Sequence, residues 1–318
     1  MGILVLTSWW PCANNDSRYR FWKVTFFASW AGVIFATGWI LRCISSFNRS
    51  NLSLYVAQTI LVFAGPPVYA ATEYNVLGRL MRYVPMHAPL HPDRIYYVFI
   101  YIGVAVESLT AAGASLYASA SGQGLDVYVR GGHLISAALV LQGAVELLFM
   151  SMVAQMHYRC AKHNMLTRNI RNLCITLYGT STLVLLRCIL RAVEAFSTYT
   201  VTTCNGTCHF FLYHEWYLYV FEAAPMVAFS YWLNLMHPGR FLPTSNTRYR
   251  DVDAETERLG PGWIDRRSKW KTFVDPFDMA GLMKGTPSHE KFWSKAEDWP
   301  VAVDGSFALG TATNVRKH

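Results

Sequence analysis

The sequence predicts an all-α integral membrane protein, with six transmembrane helices followed by a polar cytosolic C-terminal tail. Three observations carry that class. Of the 318 residues, 53% are hydrophobic and only 15% charged, against about 25% charged in a soluble globular domain. The charge is also unevenly spread: nine of the 20 acidic groups and fifteen of the 28 basic groups lie in residues 1–238, so the last quarter holds most of the acids. Finally, six apolar runs each reach the roughly 20 residues a helix needs to cross a bilayer. Such a composition excludes a chain disordered throughout. The net charge of +8 is not gathered on one patch or element, as nucleic-acid binding requires, so no nucleic-acid partner is expected.

Taken in order, residues 1–21 form a cytosolic N-terminal segment. Its apolar stretch is short and has no basic stretch before it, unlike a signal peptide. Leu6 stands where a myristoylation signal at Gly2 wants Ser or Thr. The helical bundle occupies 22–238, with spans expected at 22–44, 54–81, 95–120, 131–157, 173–196 and 215–237. Each is apolar nearly all round, unlike an amphipathic surface helix. Pro85, Pro89 and Pro92, and the run Ser121-Gly122-Gln123-Gly124, read as breakers between spans. Pro66-Pro67 lies inside the second span and is expected to kink it. Residues 239–318 form the tail, mixed in charge and partly disordered, with one short helix expected over 251–258. Aromatics and bases interleave over 263–271, a pattern that suits either solvent or the anionic cytosolic leaflet.

Lys and Arg in short loops set the orientation. Arg18 and Arg20 precede the first span and Lys23 lies at its start; Arg82 and Arg94 bound the second loop; Arg159, Lys162, Arg168 and Arg171 fill the fourth. The alternate loops carry little beyond Arg49 and Arg130, so both termini are expected in the cytosol. The sequons at Asn48, Asn51 and Asn205 then fall outside, as candidate glycosylation sites. Cys204 and Cys208 share that outer side, where a disulfide can persist.

Ionisable groups inside hydrocarbon are costly, so each needs a reason. Arg187, Arg191 and Glu194 recur at i, i+4 and i+7, which puts them on one helical face, and Arg191 can pair with Glu194. The sixth span returns beside them, with His214 and Glu215 at its start and Tyr219 and Glu222 one and two turns deeper. Two readings stand: an interhelical salt-bridge network that fixes packing, or a site for an amphiphile. In the second, the arginines serve anionic heads by bidentate contact, and Glu194 or Glu222 serves amines. Glu107 and Glu146 lie near mid-membrane, and each is either protonated and hydrogen-bonded or part of a polar pathway. Glu73 is expected to pair with a nearby arginine, while Gln58, Gln142 and His133 read as helix–helix hydrogen bonders. His214-Glu215 begins like a zinc-binding H-E-x-x-H, but Leu218 occupies the second ligand's place. No phosphate-cradling glycine loop and no G-x-S-x-G elbow is present. No catalytic role, metal or cofactor is expected.

At these residues the chain resembles the fungal lipid-translocating exporter family, also called the resistance-to-aminocholesterol proteins. The matching pieces are Gly38-Trp39-x-x-Arg42; Gln58 with Gly65-Pro66 and Ala70-Ala71-x-x-Tyr74-x-x-x-Gly78-Arg79; Leu139-Val140-Leu141-Gln142; Arg187-x-x-x-Arg191-x-x-Glu194; and His214-Glu215-x-x-x-Tyr219-x-x-Glu222 ending in His237-Pro238-Gly239. Their order and spacing cover roughly residues 32–242. The resemblance implies a plasma-membrane or endomembrane protein that exports or translocates sphingoid bases and sterol-like or toxic lipids. Its partners would be membrane lipids and amphiphilic small molecules. The family pattern begins with one more span than is found here. Phe35, Trp39, Gly103, Thr110 and Glu222 stand where it usually shows Glu, Tyr, Asp, Gln and Asp. A lipid sensor without transport is the alternative that the same features allow.

Overall fold

A computed structural model describes residues 22–48, 51–88, 91–123, 125–198, 214, 216–243, 245–253, 255–263, 268–275, 283 and 292–302. Five long helices follow one another: α1 Trp22–Phe47, α2 Leu52–Tyr83, α3 Pro92–Gln123, α4 Leu125–Lys162 and α5 Arg168–Thr198. All five are long and apolar enough to cross a membrane. The sixth predicted span is a continuous helical stretch, α6, over 216–235. It consists of a turn at Trp216–Leu218, a π-helical segment Tyr219–Ala223 and an α-helix Ala224–Leu235. At a rise of 1.5 Å per residue it reaches about 30 Å, the thickness of the hydrocarbon core.

Each helix packs against the next in sequence, and α2 also touches α5. Around that centre the core divides by depth. Tyr74 of α2 stacks on Phe99 of α3 at 4.5 Å and meets Phe149 of α4 edge-on at 5.3 Å. A second cluster joins Phe35 and Trp39 of α1, Tyr69 of α2, Cys188 of α5, and Met226 and Phe229 of α6. The outer faces are apolar as well: Phe26, Trp30 and Ile40 on α1, and Leu186, Ile189, Val193 and Phe196 on α5, are exposed. A surface of that kind is stable against lipid, and helices satisfy their own backbone there.

Local chemistry explains the joints. Asn164 ends α4 in the left-handed region, φ 56°, and the backbone closes behind it: Met165 N–H donates to Cys160 O at 2.9 Å and Asn164 N–H to Ala161 O at 3.3 Å. This 6→1 and 5→2 pair reverses the chain tightly into α5. In α6, Pro225 has no N–H to offer the carbonyl of Phe221, and its ring crowds that turn. The preceding turn widens, so that Ala224 N–H donates to Tyr219 O, which is the i→i+5 pattern.

Helix α2 spans Pro66 and Pro67 without a break in its helical assignment, although the two prolines withhold two N–H donors. Two expectations need correction. Helix α3 continues through Ser121 and Gly122 to Gln123, since small residues are tolerated inside a helix at modest cost. In the tail, the helix expected over 251–258 is instead a hairpin, with β1 Arg248–Arg250 antiparallel to β2 Glu257–Leu259. The charges favour that arrangement. The fold pairs Arg248 with Glu257 and sets Arg258 Nε 2.5 Å from Asp251 Oδ2, whereas in a helix those partners would sit two turns or more apart. The hairpin is fastened to the end of α2, where Tyr83 Oη donates to Glu257 Oε1 at 2.5 Å and Arg79 donates to Asn246 and to Pro243 O.

At the same end, between α2 and α3, a 3₁₀ turn Pro85–His87 buries His87. Its ring stacks on His163 at 4.6 Å, with Nε2 3.1 Å from Met165 Sδ. Burial, with His163 and Arg159 adding to it, holds His87 below its ordinary value of 6.5. The unfolded chain therefore takes up this proton first, and stability is lost as pH falls below the unfolded value. The melting midpoint is expected to drop between about pH 7.5 and about pH 5.5, and to drop less in His87→Gln. Equal drops would assign the acid sensitivity to other groups.

Candidate functional site

The polar residues of α5 and α6 meet in an apolar wall and form an alternating chain of charges. Arg187 and Glu222 are both 0% exposed. Arg187 Nε and Nη2 both donate to Glu222 Oε1, at 3.0 and 2.5 Å. The second oxygen, Glu222 Oε2, lies 3.1 Å from Arg191 Nε. Arg191 Nη1 in turn meets Glu194 Oε2 at 2.5 Å, and its guanidinium covers the ring of Phe63 on α2 at 4.7 Å. Two cations and two carboxylates thus balance. Helical periodicity sets the α5 side of this chain, because residues 187, 191 and 194 share a face. The π turn presents Glu222 to that face from α6.

One donor stands outside the balance. Arg187 Nη1 is buried and finds no acceptor among the described residues. Leaving a buried donor unmet costs about 1–3 kcal/mol, so Arg187 holds hydrogen-bonding capacity at Nη1 that the described residues do not use. Glu194 is the member nearest the surface, with its side chain 14% exposed.

The other sequence candidates divide. Tyr219, 40% exposed, lies against Trp39 of α1, ring to ring at 5.2 Å, and takes no recorded part in the charge chain. His214 is exposed. Glu215, Asn205, Cys204 and Cys208 lie outside the described residues. Asn48 and Asn51 are exposed, and Asn51 caps α2 by accepting from Leu54 N–H at 3.2 Å. Gln58 is buried with its Oε1 unbonded, so the expected helix–helix hydrogen bond at that oxygen is absent among the described residues. Glu107 and Gln142 are half-buried and His133 is exposed. Among the described residues no three His, Cys, Asp or Glu side chains are placed to hold a metal ion.

Glu73 departs from expectation. It does not pair with Arg79, which is turned to the tail; six positions apart, the two residues point to different sides of α2. Glu73 instead faces Glu146 of α4 and Thr180 and Ser181 of α5. Ser181 Oγ donates to Glu146 Oε1 at 2.5 Å. Sequence spacing gave no route to this meeting of three helices. The one available signal was that neither glutamate has an opposite charge one turn away.

The comparisons with known proteins agree with the architecture. The family described as RTA1 like protein matches over residues 29–245. A lipid-translocating exporter-like protein RTA1 of Leptosphaeria maculans is 30% identical over 273 residues, covering 81% of this chain and 51% of that protein. A protein of the same name from Ajellomyces capsulatus is 28% identical over 265 residues, with 79% and 80% covered. Protoporphyrin uptake protein 1 of Saccharomyces cerevisiae is 30% identical over 232 residues, with 68% and 72% covered. The chain spans about half the length of the first of these relatives. No solved structure matches it.

Proposed function

This chain belongs to the RTA1-like protein family, and from that premise we propose that it translocates or exports lipid-like amphiphiles such as sphingoid bases and sterol-like or toxic lipids. The observation that carries the reading is the unmet donor Arg187 Nη1, fully buried beside a balanced chain of charges. An oxygen of a bound head group would satisfy it, and Arg191 would add a second contact to an anionic head. Glu194, nearest the surface, and Glu222 would receive an amine head. His214, Glu215 and Tyr219 would line the approach. The names of the relatives, lipid-translocating exporter-like protein and protoporphyrin uptake protein, support movement of amphiphiles as the shared theme. The chain works without a bound cofactor in this reading, and no catalytic role is assigned to any residue.

The test is export of a labelled sphingoid base from yeast expressing the chain, beside empty vector and Arg191→Ala at matched membrane levels. Wild type is expected to export faster than vector, and Arg191→Ala to lose most of that gain. Equal export by wild type and vector would refute transport of this class.

We also propose that both termini are cytosolic, in the plasma membrane or an endomembrane, with Asn48, Asn51 and Asn205 glycosylated and Cys204 bonded to Cys208. Glycosidase treatment of the same membranes should then shift the band, and an unshifted band would count against that orientation. A second reading, lipid sensing without transport, draws on the hairpin fastened to α2 through Tyr83 and Glu257, since it links a bundle helix to the tail. Sensing would leave flux normal and change the cellular response to lipid.

A further inference from the structure

We propose that Glu73 and Glu146 form a proton-binding site in the middle of the bundle, in which the two carboxyl groups hold one exchangeable proton between them. The side chains come from different helices, α2 and α4, and the residues are 0% and 2% exposed. They face one another within hydrogen-bonding reach. Ser181 of α5 already donates to Glu146 Oε1. Both oxygens of Glu73, by contrast, are buried with no donor among the described residues.

Thr180 and Ser181 of α5 stand beside Glu73, but their hydroxyls are directed to other acceptors, Ser181 to Glu146. Thr180 Oγ1 is committed to the carbonyls of Thr176 and Leu177, each at 3.1 Å. Of the titratable neighbours, Tyr74 of α2 and Cys188 of α5 are neutral side chains that carry no cation to the pair. Arg187 and Arg191 are held by Glu222 and Glu194, and Arg79 is turned to the tail. Among the described residues no Lys, Arg or His therefore balances the two carboxyls. Two bare carboxylates in contact inside hydrocarbon are prohibitively costly. A proton on one carboxyl, donated to the other, removes a charge and supplies the missing donor in the same step. A metal ion fits less well, since hard cations take six or more oxygens and this site offers two carboxyls and one hydroxyl.

The site also has a mechanical consequence. With the proton in place the pair ties α2, α4 and α5 together; without it, two like charges sit in the joint and drive those helices apart. Proton binding here is independent of whether the α5–α6 cluster handles amphiphiles, and its test needs no amphiphile.

Dicyclohexylcarbodiimide, an apolar reagent, adds across the O–H of a protonated carboxyl and rearranges to a stable N-acylurea, while a carboxylate does not react. Applied to the full chain in membranes, it is expected to mark Glu73 or Glu146, as read by peptide mass. Labelling should fall at least about fivefold between about pH 6 and about pH 9. In Glu146→Gln the remaining Glu73 should keep its label to a different pH than in wild type, because its charged neighbour is gone. An unchanged pH profile in that variant would overturn the shared proton. So would the absence of adduct on both residues of the folded chain at about pH 6, where the paired proton should be in place. Protection from labelling by sodium at fixed pH would overturn the proton in favour of a metal cation.

Discussion

Glu222→Ala is expected to cause the largest loss of folded protein of any single change in the bundle. The substitution leaves Arg187, 0% exposed, with neither of its two bonds to Oε1. Arg191 keeps Glu194 as a partner, so the stranded group is Arg187. Removing one member of a buried pair costs about 3–5 kcal/mol, because an uncompensated charge remains in a medium that cannot solvate it. That is a large share of the roughly 5–15 kcal/mol by which native proteins are stable. The double change Arg187→Met with Glu222→Met removes both charges at nearly the same volume and is expected to recover most of the loss. Thermal midpoints and the monodisperse fraction in detergent read both variants. Equal loss in the single and the double would mean that the two residues are not energetically coupled. Export then separates the roles: a double variant that folds but does not export assigns the pair to substrate handling, and one that does both reduces it to a clamp.

The second large effect is expected at Gly131. Helices α3 and α4 cross there with backbone against backbone. A Cβ on Gly131 would lie 2.6 Å from Tyr117 N and 2.9 Å from Gly113 O. Both obstacles are main chain, so no rotamer change relieves the clash and the helices must separate. Small residues at such crossings are what allow close packing where lipid offers no hydrophobic drive. Gly131→Val is expected to cost about 3 kcal/mol, the upper end of ordinary overpacking. Gly103 on α3 is the control: a Cβ there meets nothing within 4 Å, so Gly103→Ala should be neutral or slightly stabilising through helix propensity. Matching melts for Gly131→Val and Gly103→Ala would show that the close crossing is not what holds this pair.

Much of this architecture could be read from the chain because its strongest signals are local. Apolar runs longer than a bilayer is thick mark helices whatever their neighbours. The i, i+4, i+7 spacing of Arg187, Arg191 and Glu194 fixes a face before any partner is known, and the ion pair with Glu222 then follows from two spans returning side by side. What escaped the reading depends on partners far apart in sequence. Glu73, Glu146 and Ser181 belong to three helices and share no spacing rule, so their meeting follows from packing alone. The tail hairpin escaped for a related reason. Its short strands have weak propensity, and Arg248–Glu257, Arg258–Asp251 and Tyr83–Glu257 declare themselves only once the end of α2 is in place.

The π-helical segment of α6 makes chain length a constraint of its own. One extra residue is accommodated in Tyr219–Ala223, and everything before it is turned by about 100° relative to an unbroken α-helix. Deleting a single residue there would restore ideal geometry yet swing Tyr219 away from Trp39, or Glu222 away from Arg187, since one stretch serves both. Apart from Glu222, side chains in this segment can therefore change more freely than their number. Across divergent copies of this fold, α6 should accept substitutions where it refuses a one-residue gap.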